Sequence, residues 1–400
     1  MFALTYSEFG EDMRGKFELD FRLLIPNVNA LLFHFLIVAG YGLSVSGEHA
    51  TILAWSSILS IMLLLRGDVS LLSQPGNATA QIFAYSCISI VVIATIATVL
   101  VLFFGFQIHH LHYKIFLCGV AFSMNELVGS LYLKNKKIWG FVFIKCIPYP
   151  LFILLLATGV DLSIADLWLQ ALSFSVILAS REIVRTLSFF QSTSTSIPQT
   201  FPGFFSRSLS AALANCLVTF AANLPVILIG HFYGTRSAGI WINFYRIFAL
   251  PLFYYSSAVQ YTLLNKLSRL DSEPDRLYLS QIFWTRLEKH LIALSLASGL
   301  VYCFFYAIEK TTIPELSLAT GLTIIIYSFN RSFIQFLETV AQAANRSHIM
   351  SFFIIIELCF YFLFISLGPL RLDLFYGFLG GSAVVLYLSA RLGFAVIGRS

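Results

Sequence analysis

Apolar runs of about 20 residues, the length needed to cross the hydrocarbon core of a bilayer, recur along this chain with short polar breaks between them. Twelve can be delimited: 22–44, 50–66, 82–106, 114–133, 138–158, 164–187, 207–232, 237–263, 286–308, 313–336, 348–368 and 373–396. The second is short, and charge interrupts the sixth and tenth. The pattern predicts an all-α integral membrane protein of about twelve transmembrane helices. The longest connections are "RTLSFFQSTSTSIPQTFPGFF", before the seventh run, and "NKLSRLDSEPDRLYLSQ", after the eighth. The first is rich in Ser, Thr and Pro and lies at the midpoint. It predicts two six-helix bundles, 1–195 and 205–400, joined by a cytoplasmic linker at 190–206.

Composition agrees with this pattern. Of 400 residues, 58% are hydrophobic and only 11% are charged, where a soluble domain carries roughly 25%. The mean hydropathy is +0.83. Lysine and arginine concentrate in alternate connections, which orients the chain with both termini in the cytoplasm. The start, "MFALTYSEFGEDMRGKFELD", lacks the basic region, apolar core and cleavage site of a signal peptide, and reads as a cytoplasmic lead-in to the first span. The six cysteines fall far apart in apolar runs and read as small apolar fillers.

The sequence shows no Walker A loop, HExxH, GxSxG or DxD pair, so no cofactor, enzymatic activity or nucleic-acid partner is expected. His109, His110 and His112 read as surface-loop histidines rather than metal ligands. The first outer loop, "SVSGEHAT" at 44–51, offers a single carboxylate, Glu48.

A short internal repeat links the halves. "YGLSVSG" (41–47) and "YGTRSAG" (233–239) share YGxxxxG at an offset of 192, each after the first span of its half. An even number of intervening spans puts both turns on one membrane face, as in parallel transporter repeats.

The remaining signals are polar residues inside apolar runs. Asn215, Thr219 and Asn223, with Ser208, share a face of the seventh span; Asn243, Arg246, Ser257 and Gln260 share one in the eighth. Ser123, Glu126, Ser130 and Lys134 do so in the fourth, and asparagines flank Val28 at the start of the first. Such stripes turn away from lipid, toward other helices or a water-filled cavity. Lys145 lies inside the fifth span just before "PYP" (148–150), whose prolines break the helix and free backbone carbonyls. Glu357 lies well inside the eleventh span; Arg331 and Glu338 stand nearer the cytoplasmic end of the tenth, where they can snorkel. Two readings of the charges stay open: internal ion pairs, such as Glu126 with Lys145, or a cavity that holds an anion.

The stretch "ILIGHFYGTRSAGIWINFYRIFALPL" (227–252) resembles the Wzx-type oligosaccharide flippases of the MOP (multidrug/oligosaccharidyl-lipid/polysaccharide) exporter superfamily. The likeness runs through Ile227–Ile229, Phe232, Gly234, Gly239, Trp241, Tyr245, Arg246 and Pro251 to "KLSR" (266–269), with "TVAQAANRSHIMSFFIIIEL" (339–358) as a second region. "LLRGDVSLLSQ" (64–74) departs from the family pattern by a charged pair. The resemblance implies a MATE-like fold of two six-helix bundles around a central cavity. It implies alternating-access movement of a polyprenyl-pyrophosphate-linked oligosaccharide across a bacterial inner membrane, among membrane lipids and beside polysaccharide polymerase machinery.

On that reading Arg246, Lys145 and Arg331 would attract the pyrophosphate. Asn215, Thr219, Asn223, Asn243, Gln260 and the polar start of the first span, placed at position 28, would face the sugars. Glu126 or Glu357 would carry a coupling H+ or Na+. The rivals are a small-molecule exporter of the same superfamily and, further off, an integral-membrane O-antigen polymerase or glycosyltransferase, for which the outer loops are short. In a cysteine-free background, Thr235→Cys is expected to label from outside and Leu270→Cys from the cytoplasm. Labelling from one side would overturn the topology.

Overall fold

The computed structural model describes residues 22, 25–65, 67–68, 71, 79–103, 110–159, 161–192, 201–267, 273–309, 318–343, 347–366 and 372–397. Among them are twelve helices of nine residues or more: α1 (Ile25–Leu64), α2 (Thr79–Phe103), α3 (His110–Lys134), α4 (Ile138–Cys146), α5 (Pro148–Ala157), α6 (Ile164–Leu178), α7 (Ser180–Ser192), α8 (Phe201–Leu267), α9 (Glu273–Glu309), α10 (Leu318–Ala343), α11 (Ser347–Ser366) and α12 (Leu372–Ile397). Six helical stretches among the described residues are long and apolar enough to cross a membrane, and seven if the bent pair α6/α7 counts as one. The protein is a multi-pass membrane protein.

Two of these helices each hold two of the expected spans. α1 breaks at Gly42 (φ 86°, ψ 173°) and α8 at Gly234 (φ 86°, ψ 165°). Only glycine adopts this conformation cheaply. At each break the chain doubles back. Phe33 and His49 have ring centroids 5.2 Å apart, where 16 residues of straight helix would separate them by roughly 24 Å. The expected outer loop at 44–51 is therefore helical, and the turn is Gly42 itself. The two breaking glycines are 192 residues apart, which is the offset of the sequence repeat.

The second glycine of each repeat brings the arms of α1 and α8 together. A Cβ on Gly47 would overlap the carbonyl oxygen of Thr235, and one on Gly239 would overlap that of Leu43. The offset exchanges the two contacts, so they are related by a pseudo-twofold. Polar bonds extend the seam: Asn243 Nδ2 donates to Ser46 Oγ at 2.9 Å, and Asn223 Nδ2 to Ser57 Oγ at 3.2 Å.

Apolar packing falls into three cores. Two draw on residues 33–187 alone, around Phe33, Phe152 and Trp168 and around Phe83, Leu127 and Leu131. The third draws on residues 221–383, joined by Ala50 and Ala54 of α1. Residues 193–200 of the expected linker lie outside the described residues.

The sixth expected span is not one straight helix. α6 opens on a capping box in which Ser163 Oγ accepts from the Asp166 amide and Asp166 accepts from the Ser163 amide, each at 3.3 Å. It ends at Leu178, and the charged segment α7 departs at 52°. There Glu182 accepts from Lys137 Nζ at 2.8 Å and Asn135 Nδ2 at 3.1 Å.

The "PYP" break is satisfied by side chains. The chain stays right-handed helical through Ile147 (φ −61°, ψ −34°). Pro148 and Pro150 lack the amides that would bond the carbonyls four residues back, Ile144 and Cys146. Asn125 Nδ2 of α3 donates to the Ile144 carbonyl at 3.1 Å, and Asn29 Nδ2 of α1 to the Cys146 carbonyl at 3.1 Å. Position 28, placed among the cavity-facing polar positions, is a valine at 45% exposure; its neighbour Asn29 is the polar residue, and it serves the backbone. Asn125→Ala is expected to cost about 1–3 kcal/mol by leaving a buried carbonyl unpaired, and much less when Pro148→Ala restores the amide. Unfolding free energies in mixed micelles check this, and equal costs in both backgrounds would unlink Asn125 from Pro148.

Candidate functional site

The cations named from the sequence are mostly held by carboxylates. Lys145, in the last turn of α4, pairs with Glu126 of α3. Its stem crosses Gly129, where a Cβ would come 2.8 Å from Lys145 Cε. Glu126 is 33% exposed and Lys145 14%. Its neighbours on the same face are buried, and Ser123 Oγ donates to the Gly119 carbonyl at 2.7 Å.

Arg331 does not snorkel to an interface. It is 4% exposed and pairs with Glu357, 1% exposed, across α10 and α11. An aromatic set closes around them. Arg331 Nε donates to Tyr327 Oη at 2.9 Å, and the guanidinium carbon lies 5.1 Å from the Tyr327 ring centroid. Tyr361 Oη donates to Glu357 at 3.3 Å, one helical turn away. Tyr327 Oη donates to the Ala222 carbonyl of α8 at 3.0 Å, so the pair ties three helices together. An ion pair this deep offsets its desolvation only with good geometry and added hydrogen bonds; the tyrosines supply these to Arg331 Nε and Glu357 Oε1, while Arg331 Nη1 and Glu357 Oε2 have no partner among the described residues.

Arg246 stands on the second arm of α8, half-buried. Its neighbour Tyr245 stacks on Trp241 (6.1 Å, 10°) and tilts against Tyr327 (5.8 Å), which brings this arm up to the Arg331–Glu357 pair. The offset of 192 matches Arg246 to Ala54, which is buried at 2%. Lys145 pairs within α3 and α4, while Arg331 pairs within α10 and α11.

The polar stripes lie at the seam between the halves. Asn243 is 8% exposed and bonds Ser46; Asn223, half-buried, bonds Ser57 and the Thr219 carbonyl. Asn215 is 5% exposed and Thr219 half-buried. The side chains of Ser208, Ser257, Gln260 and Glu338 lie outside the described residues. No group of three or more metal-ligating side chains occurs among the described residues.

Sequence reasoning passed over two buried histidines, His34 (1% exposed) and His49 (0%). Their rings lie 5.3 Å apart across the Gly42 break. The available signal was the repeat itself: a turn at Gly42 sets position 34 opposite position 49.

These features sit on a fold that is already known. One solved structure, an inward-facing multidrug resistance MATE family transporter of the MOP superfamily, aligns over 95% of this chain and 98% of its own with a TM-score of 0.60 at 13% identity. The chain has the MATE transporter fold. The Vibrio cholerae MATE transporter VcmN, solved as a point mutant, aligns over 95% of both chains with a TM-score of 0.56 at 15% identity. The multidrug transporter DinF-BH, solved as a complex, aligns over 93% of this chain and 91% of its own, with a TM-score of 0.57 at 13% identity. At these identities the likeness is one of fold. No protein-family model and no curated protein sequence matches the chain.

Removing one member of the buried pair strands the other. Arg331→Met is expected to destabilise the protein by about 3–5 kcal/mol, and adding Glu357→Leu to recover most of that loss. Unfolding in mixed micelles reads both. A double variant as unstable as the single one would show that the pair is not the stabilising unit.

Proposed function

We propose that this chain is an alternating-access exporter of small organic molecules, built as two bundles, 1–195 and 205–400, that rock about the seam between α1 and α8. The observation that carries this reading is the ion pairing of the cavity cations. Lys145 and Arg331, offered by the sequence to a pyrophosphate, each face a carboxylate, so their charge is largely spent inside the protein. The substrate then meets amide, hydroxyl and aromatic groups, with Thr219 and Asn223 half-buried and Asn215 and Asn243 behind them at the seam. Such a surface suits amphipathic molecules better than it suits a dianion. The fold shared with multidrug transporters supports the same choice.

An H+ or Na+ gradient would drive the cycle. Glu126 suits the coupling role better than Glu357, since it is 33% exposed against 1%, and a coupling carboxylate must exchange its ion with water. The chain would sit in a bacterial inner membrane with both termini in the cytoplasm.

The second reading is the flippase of polyprenyl-pyrophosphate-linked oligosaccharides implied by residues 227–269. Arg246 favours it: a half-buried cation stands where the first half carries Ala54, so the shared scaffold does not require it. Proteoliposomes decide between the two, with ethidium, an amphipathic aromatic cation, as the small-molecule probe. Gradient-driven ethidium transport, falling at least tenfold in Glu126→Gln with Arg246→Ala near wild type, is the expected result. Ethidium left unmoved, with a lipid-linked oligosaccharide translocated and lost in Arg246→Ala, would assign the flippase instead.

A further inference from the structure

His34 and His49 stand eight residues before and seven after the Gly42 break, so the two arms of α1 press their rings together. Both are buried, and neither nitrogen of either ring has a hydrogen-bond partner among the described residues. A neutral imidazole carries one N–H donor and one lone pair, so the pair holds two donors and two acceptors unmet at the centre of an apolar core. Buried polar groups are nearly always paired, which makes four unmet nitrogens in one place a feature that requires a reason.

The second half shows that the scaffold does not need them. The offset of 192, fixed by Gly42/Gly234 and Gly47/Gly239, matches His34 to Val226 and His49 to Trp241, both buried in the core there. The same fold position is filled by apolar side chains in one half and by imidazoles in the other.

The surroundings are aromatic. The Trp168 ring lies 4.6 Å from His49, edge to face, with Phe152 at 5.0 Å and Phe33 at 5.2 Å. Burial opposes the charged form of an imidazole, and a ring face offsets that only where the charge lies over it. The titratable groups on the adjoining elements are few. Cys118 of α3 donates its thiol to the Ala165 carbonyl at 3.3 Å, Lys114 and Asp166 pair at 2.6 Å where α3 meets α6, and Glu48 adjoins His49 in the chain. Tyr149 of α5, half-buried, touches Phe33 at 4.8 Å and Trp168 at 5.5 Å and interacts electrostatically with Glu126.

We propose that His34 and His49 form a proton-binding site, in which the pair takes up one proton inside the aromatic cage and the rings turn a nitrogen toward each other to share it. Binding converts the pair from two neutral rings to a single shared positive charge. That charge lies between the two arms of α1, the helix that also makes the seam with α8, so its arrival and departure bear on how the halves meet. The role in driving export rests on the exporter reading; the binding of the proton does not.

Full-length protein in nanodiscs, labelled in its histidine rings, tests this by magnetic resonance between pH 5 and 8.5. The two ring signals, assigned by their loss in His34→Gln and His49→Gln, are expected to titrate together as one proton, and His34→Gln to change the proton affinity of His49 at least tenfold. Should the glutamine variants fail to fold, His34→Val copies the second half, and the wild-type signals carry the test alone. Both rings holding one neutral form across the range would overturn the site, as would two independent titrations. A titrating pair without ethidium transport supports the site and removes only its link to export. Ethidium transport with a non-titrating pair overturns the site and leaves the exporter standing.

Discussion

Inside a bilayer a carbonyl or a charge cannot turn to water, so a polar group is costly unless it finds a partner within the protein. Asn125 and Asn29 occupy the two carbonyls released by Pro148 and Pro150. Tyr327 and Tyr361 bond to the Arg331–Glu357 pair, and Asn243 and Asn223 bind across to Ser46 and Ser57. Each is a local remedy, and each also fixes a helix to its neighbour. The α3–α4/α5, α10–α11 and α1–α8 contacts are all placed in this way.

Much of the architecture was legible because lipid demands long apolar runs. Each of the twelve runs falls on a helix, on one arm of a broken helix or on two helices in succession. The glycine repeat was legible too, since a positive φ leaves little choice of residue. The partners were harder to read. Glu126 with Lys145 was one named possibility. Arg331 with Glu357 was not, because an arginine near a span's end looks the same from the sequence whether it snorkels or turns inward. The "PYP" carbonyls looked open because Asn29 lies 117 positions from Cys146. His49 was hidden by a loop reading of 44–51, a polar stretch that the structure continues as helix.

The two halves share a frame and differ in charge. The first half carries a partly exposed ion pair and a buried pair of imidazoles; the second buries Arg331 and Glu357 at 4% and 1% exposure and stiffens them with tyrosines. On the exporter reading, the more exposed pair of the first half would be the one to exchange an ion, and the buried pair of the second half would not.

The meeting of Gly47 and Gly239 has a consequence for how such a chain can change over time. The contact is made by backbone atoms, so it has no side-chain chemistry for surrounding mutations to disturb. Two copies of an ancestral half could lose all visible likeness while the four glycines continue to place them.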